Sequence, residues 1–283
     1  MSEFKPQHMN AAANDLLGNN GKGRYLFLTG SDERAQQISE RFTDPVIKRH
    51  PRQHNLYLGT IAGRHGMVDV GAISTGMGGP SADIIINELI GLGARRLLRI
   101  GTAASLQSEW VNVGDLVIAT GAVRDDKASW DYIYREYPAV ASLEFVVAAG
   151  RALKKNGSSI KAHFGLVHSK SSLFAREFNL SITEENRHYM QGIRQAGVLA
   201  TEMECAQLFT LSALFSARAQ QSSPKNRINS ILAGAILAII GDDRACFSDN
   251  KEETGRAVTA AIELGLECLA EMQAIDENPD SLF

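Results

Sequence analysis

The chain has 283 residues, 44% hydrophobic and 22% charged, with a net charge of −3, so it holds enough apolar material for a large core. That balance gives no electrostatic basis for binding nucleic acid or a membrane surface. No apolar run nears the ~20 residues that cross a bilayer, and Met1-Ser-Glu-Phe-Lys-Pro lacks the apolar core of a secretory signal, so a cytoplasmic protein is expected.

Residues 1–22 are polar, end in Gly18-Asn-Asn-Gly-Lys-Gly23 and read as a loose arm. Residues 24–29 form a buried strand, followed by Gly30-Ser-Asp-Glu-Arg34 and a helix over 35–42 that Asp32 is placed to cap. Strand, glycine turn and helix N-terminus together make an anion cradle. Arg34 there opposes the helix dipole; a bound anion explains it, although by itself it reads equally as a surface arginine.

Residues 55–62 and 67–74 are strands around Gly63-Arg-His-Gly66, which suggests a hairpin. Ser74-Thr-Gly-Met-Gly-Gly-Pro-Ser81 then leads into a helix over 83–92. Gly76-x-Gly78-Gly79 lacks the G-x-G-x-x-G spacing and the acidic residue closing a second strand, which argues against a nicotinamide or flavin cofactor.

Leu97-Leu-Arg-Ile-Gly-Thr-Ala-Ala-Ser105 is an apolar strand carrying one arginine, Arg99. A guanidinium there is costly to desolvate unless an anion meets it, either a ligand or a buried carboxylate. Thr102 offers a hydroxyl beside Gly101, whose missing side chain lets a ligand approach the backbone. The planar guanidinium suits bidentate contact with phosphate.

Strands follow over 115–120, 162–167 and 231–240, and helices over 143–156, 186–196 and 203–217. Leu208, Leu211, Leu214 and Phe215 mark the core face of the last of these helices. Residues 220–229 read as a surface loop, Val258, Ile262, Leu266, Leu269 and Met272 mark a closing helix, and 276–283 read as a frayed tail. Cys205, Cys246 and Cys268 lack metal-ligand or C-x-x-C spacing and read as reduced thiols, mostly buried, and no metal site is expected. Strands and helices alternate without linker, repeat or compositional break, which predicts a single three-layered α/β domain over 1–283 with its site in loops at one sheet edge.

Six motifs in a fixed order, Gly30-x-x-x-Arg34, Ser74-Thr-Gly-Met-Gly-Gly-Pro-Ser81, Leu98-Arg-Ile-Gly-Thr102, Asn112-Val-Gly-Asp115, Tyr137-Pro-Ala-Val140 and Glu202-Met-Glu204, resemble the class I nucleoside phosphorylases, most of all their uridine phosphorylase branch. The resemblance runs from His8 to the closing helix. It implies an αβα sandwich around a mixed central sheet and a pentosyltransferase that cleaves a nucleoside, most of all uridine or a related pyrimidine nucleoside, with inorganic phosphate. Gly30, Arg34, Arg99 and Thr102 would hold the phosphate, joined by Arg52 from a neighbouring subunit. Glu202, Met203 and Glu204 would hold the ribose, with Glu204 on the 2′- and 3′-hydroxyls and a neighbour's His8 on the 5′-hydroxyl, which would order the arm. The implied assembly is a homodimer repeated into a hexamer, and no cofactor is expected besides phosphate as co-substrate.

In the base pocket the chain departs from the family. Leu173, Glu177 and Asn179 stand where uridine phosphorylases present phenylalanine, glutamine and arginine, and an ionised glutamate only accepts hydrogen bonds. The purine branch uses an aspartate after its late strand, a role open to Asp242 or Asp243 in Gly241-Asp-Asp-Arg244, which otherwise reads as a surface turn. Ala103-Ala104 also replaces the usual threonine or glycine positions. A purine nucleoside phosphorylase, a nucleosidase using water and a catalytically silent nucleoside-binding protein therefore stand as alternatives.

Overall fold

The computed structural model describes residues 4–156, 161–222 and 230–282. Strand β1 (Tyr25–Thr29) is buried along its whole length. It lies parallel to both β4 (Gly66–Ser74) and β5 (Arg96–Ser105). β10 (Leu232–Gly241) runs parallel to β5 on its other side. An apolar run buried on both faces is what parallel strands covered by helices require. β3 (Leu56–Gly63) and β4 form the expected hairpin, in antiparallel register.

The sheet then curls. β6 (Leu116–Asp125) pairs with β10 antiparallel and with β8 (Ala162–Lys170) in parallel. β9 (Ala200–Glu202) pairs with β8 and returns to β5. The pairing β5–β10–β6–β8–β9–β5 is therefore a closed ring, extended from β5 through β1, β4 and β3. Closure removes edges that would otherwise expose unpaired backbone.

Two apolar clusters flank the sheet. α2 (Gly79–Gly91) and α7 (Cys205–Ser222) bury their apolar faces in one. α1 (Asp32–Ser39), α4 (Leu143–Asn156) and α8 (Lys251–Glu277) do so in the other. This is the three-layer α/β architecture expected around a mixed sheet. Short helices α3 (Lys127–Trp130) and α5 (Leu173–Glu177), with α6 (Glu184–Gln195), sit in the connections.

Several local expectations need correction. Ser31, not Asp32, caps α1, accepting from the Arg34 N–H at 3.4 Å. Asp32 instead accepts from Asn55 at 2.8 Å and Tyr57 at 3.1 Å. The sequence reading passed over β2 (Thr43–Lys48), which among the described residues pairs with β3 alone and is interrupted by a bulge before Val46. Pro45 hides it from pattern reading, and an edge strand is where proline is tolerated.

The arm is seated, not loose. Met9 and Leu16 are buried, Lys48 Nζ pairs with Asp15 at 2.5 Å, and Asn19 bonds both backbone groups of Asp69.

The tail is likewise anchored. α8 runs on to Glu277, and Asp276 receives Arg96 Nε at 2.8 Å, Arg96 Nη2 at 2.7 Å and the Tyr25 hydroxyl at 2.7 Å. Of the loop expected over 220–229, the first three residues belong to α7, which continues to Ser222; residues 223–229 lie outside the described residues.

Candidate active site

The C-terminal ends of β1, β5 and β10 and the connection after β4 converge, as ligand sites do outside the carboxyl ends of parallel strands. A cavity of about 240 Å³ lies there. Gly30, Arg34, Arg99 and Thr102 form one side of its lining, Glu202, Met203 and Glu204 another, and Leu173 and Glu177 a third. A single fold thus brings together nine of the residues singled out in the sequence.

Arg99 is 5% exposed. Its Nη2 donates to Glu204 and its Nε lies 3.5 Å from Glu202. Nε and Nη1 are buried without a hydrogen-bond partner among the described residues. A buried guanidinium with unused donors is costly unless an acceptor arrives. Burial pushes the Arg99 pKa down, but Glu204 and Glu202 push harder and it ends above its ordinary value.

Arg34 enters from the first turn of α1. Burial, then the charge of Arg99, draws its pKa down to about 10. Its side chain makes no ion pair among the described residues. Two guanidinium groups in one cavity, one destabilised by the other, give it the electrostatics that an anion would relieve.

A Cβ at Gly101 would lie 2.8 Å from Leu237 Cδ2 and 3.0 Å from Arg99 Nε, so the glycine makes room for both Leu237 and the guanidinium. At Gly30 a Cβ would meet nothing within 4 Å, which leaves open approach to the backbone beside Arg34.

Glu204 is nearly fully buried and accepts from the Gly78 N–H as well as from Arg99. Gly78 has φ 84°, a left-handed conformation that glycine adopts without strain. Burial and the neighbouring Glu202 raise the Glu204 pKa against the pull of Arg99. Glu202 differs: it accepts from Ser169, from the Glu204 N–H at 2.8 Å and from the Cys205 N–H at 3.0 Å. It thereby holds the N-terminus of α7, so its carboxylate braces Glu204. Met203 lies against Gly78, its Cε 3.7 Å from where a Cβ would stand.

Arg52 and His8 are not brought into this cavity. Arg52 is exposed in the turn after β2. His8 Nδ1 lies 2.8 Å from Glu88 on α2, which also accepts from the backbone of Gln7 and His8.

A second cavity of about 390 Å³ adjoins the first, sharing Ala104, Glu177, Thr201 and Cys246 with it, and Asn179 and Asp242 line it. Asp242 closes its own turn, accepting from the Arg244 N–H at 2.8 Å, the Ala245 N–H at 2.9 Å and Arg244 Nη2 at 2.8 Å. Slight burial raises its pKa, but those bonds outweigh it and the carboxyl ends below its ordinary range, the wrong direction for a proton donor to a purine. Cys246, expected among mostly buried thiols, is half-buried and lines both cavities; Cys205 and Cys268 are buried.

Sequence reasoning missed Lys170. It closes β8 and is 2% exposed, with Nζ 2.5 Å from Glu177 Oε1. Its setting, Ser-Lys-Ser-Ser, carries the signature of a solvated turn, and only tertiary packing buries it.

An α/β chain whose sheet-end cavity sets two arginines beside a buried carboxylate carries the charges to meet an oxyanion and a hydroxylated group together. Comparison with known proteins makes this specific. The chain belongs to the phosphorylase superfamily, whose model matches residues 24–270. It is 34% identical to the uridine phosphorylase of Thermococcus kodakarensis over 200 residues, 69% of this chain and 70% of that one. It is 30% identical to the guanosine phosphorylase of Halorubrum lacusprofundi over 215 residues, 76% of this chain and 77% of that one. The fold matches a crystal structure of Vibrio fischeri uridine phosphorylase with a TM-score of 0.74, at 24% identity and 98% coverage of both chains. The kinship expected from the six motifs is borne out: the relatives are pentosyltransferases, and the family is one of nucleoside phosphorylases. Among the described residues, no helix is long and apolar enough to cross a membrane.

Proposed function

We propose that the protein cleaves a nucleoside with inorganic phosphate, giving the free base and ribose 1-phosphate. One observation carries this reading: two buried, unpartnered nitrogens on Arg99 and an unpaired Arg34 share a cavity with Met203 and Glu204. Arg34, Arg99, Thr102 and the backbone at Gly30 bind phosphate, and Glu204 accepts from the ribose hydroxyls. A phosphate oxygen then attacks C1′ as the glycosidic bond breaks. Its electron pair leaves with the base, which takes a proton. Positive charge builds on the sugar in the transition state, and the nearby anion and Glu204 stabilise it. No step calls for a covalent nucleophile.

Arg52 and His8 act in the site of a second copy, so the working unit is a homodimer, repeated into a hexamer as the family resemblance implies. Exposed Val46 and Ile47 on the edge strand β2, just before the Arg52 turn, support self-association on that side. Kinship supports uridine or a related pyrimidine nucleoside as substrate, through the names of the relatives. The second reading, a purine nucleoside, is the one the cavity itself favours through the carboxylate of Glu177, with a guanosine phosphorylase also among the relatives, and the base preference argued below follows this second reading. The test is release of free base from uridine, thymidine, inosine, guanosine and adenosine, with and without phosphate. Phosphate-dependent release is expected; equal rates without phosphate point to a nucleosidase, and binding without release to a silent homologue.

A further inference from the structure

The cavity lining also holds an ion pair, Lys170–Glu177. Lys170 Nζ donates to Thr201 Oγ1 at 3.1 Å and to the Glu202 carbonyl at 3.2 Å, and lies 2.5 Å from Glu177 Oε1. It is only 2% exposed, so these neighbours surround it and little of it faces a ligand.

Glu177 is complementary. Its side chain is 8% exposed and lines both cavities. Its second oxygen, Oε2, takes no hydrogen bond among the described residues. That oxygen opens onto the cavity and is not sealed in protein, and a salt-bridged carboxylate can only accept. A ligand group that meets it is favoured if it brings an N–H and disfavoured if it brings a carbonyl.

Nucleobases differ sharply on that point. Uracil and thymine present one N–H flanked by two carbonyls, whose lone pairs repel an approaching carboxylate. Guanine presents its ring N1–H and 2-amino group side by side, matching a carboxylate edge as a guanidinium does. The adjoining cavity of about 390 Å³ shares Glu177 and Thr201 with the first in its lining, which offers space beside Glu177 for a second ring.

We propose that the Lys170–Glu177 pair sets the choice of base, favouring one with adjacent N–H donors, a guanine-type edge, over the dioxo edge of uracil. Glu177 is the specificity-determining residue, and Lys170 is a positioning residue that fixes the carboxylate and holds one of its oxygens. The proposal rests on the nucleoside phosphorylase reading above.

The experiment compares kcat/KM for guanosine, inosine and uridine at saturating phosphate in the wild type, Glu177→Gln and Lys170→Met. Wild type is expected to prefer guanosine to uridine at least tenfold. Glu177→Gln, whose amide both donates and accepts, is expected to lower that ratio at least tenfold, with the KM for phosphate unchanged. Lys170→Met lowers the ratio in the same direction, again at unchanged phosphate KM. A wild type that prefers uridine, or a ratio that Glu177→Gln does not move, overturns the proposal and leaves phosphorolysis standing. Release of no base from any nucleoside overturns the phosphorolysis reading instead. Calorimetric binding then decides the base: tighter guanosine than uridine binding, lost in Glu177→Gln, supports the assignment, and equal affinities overturn it.

Discussion

Arg34 and Arg99 lie close enough in one cavity that the charge on Arg99, added to burial, brings the Arg34 pKa down to about 10. A cation with a folded pKa below its unfolded value destabilises the fold at every pH below the folded value, and that penalty is relieved only as pH rises past about 10. Removing Arg34 should therefore stabilise the phosphate-free protein. Arg34→Ala is expected to raise Tm by about 2–4 °C, the scale of a 1 kcal/mol change in a large domain. The stabilisation that phosphate gives the wild type, about 2.7 kcal/mol at a hundred times Kd, should vanish in the variant. Thermal melts across a phosphate series check both; a lower Tm without phosphate would show that Arg34 has an internal partner.

Arg99 supports both the fold and the chemistry, and two substitutions separate these. Arg99→Ala leaves Glu202 and Glu204 buried without their cation and is expected to cost about 3–5 kcal/mol of stability by denaturant titration. Arg99→Lys keeps the charge and loses the planar fork. It should unfold much closer to wild type while phosphate-dependent turnover falls about 10²–10³-fold, the scale of losing one preorganised donor. Near-normal turnover in Arg99→Lys would contradict bidentate phosphate binding.

If Arg52 completes a neighbour's site, two inactive variants should rescue each other. Arg52→Ala carries an intact Glu204, and Glu204→Gln carries an intact Arg52. In a mixed twofold dimer one of the two sites has both groups, so random mixing should restore roughly a quarter of wild-type activity. Unfolding and refolding the variants together, followed by assay, reads this directly. No recovery, with mixed dimers confirmed by tagged pull-down, would place Arg52 outside the partner's site.

The Arg96–Asp276 pair ties β5 to the C-terminal end of α8 through two hydrogen bonds, at 2.7 and 2.8 Å, with both side chains buried. Asp276→Ala orphans Arg96 and the Tyr25 hydroxyl and is expected to cost about 3–5 kcal/mol. The KM for phosphate should not change, because the pair lies at the N-terminal end of β5, away from the cavity. A frayed tail would instead tolerate Asp276→Ala without loss.

Acid should loosen the segment carrying Glu177 through Asp125. Burial pushes that carboxyl up, but hydrogen bonds from His168 at 3.1 Å and from Arg176 at 2.7 and 2.8 Å outweigh it, and its pKa falls below the ordinary 3.8. A depressed folded pKa means the stabilisation is complete above the unfolded value and is lost as pH falls through and below 3.8. Protection of α5 amides, taken relative to intrinsic exchange at each pH, should fall below about pH 4, and in Asp125→Asn it should already be low at neutral pH. Protection unchanged by Asp125→Asn would remove Asp125 as the anchor.

Much of the cavity was legible in the sequence because its residue types are chemically out of place: an arginine inside Leu97–Ile100, an arginine opposing the dipole of α1, and two acids at the start of α7. β2 was not legible, because Pro45 and Asp44 break strand patterning and only pairing with β3 stabilises it. The arm was misread for a related reason. Its composition is polar, but a few apolar residues such as Met9 and Leu16 find a core to enter. Glu202 was read as a sugar ligand, and only the structure shows it bracing the N-terminus of α7.

By itself the sequence determined the alternation of strands and helices, the phosphorylase kinship and the cationic and carboxylate groups of the cavity, because periodicity and misplaced charge are local properties. Tertiary structure alone decided that the sheet closes through β9, that a side chain at position 101 would crowd Leu237 and Arg99, and that Lys170 is buried against Glu177, Thr201 and the Glu202 carbonyl. Those depend on which distant groups meet in space, and burial is a property of the neighbours of a side chain, not of its place in the chain.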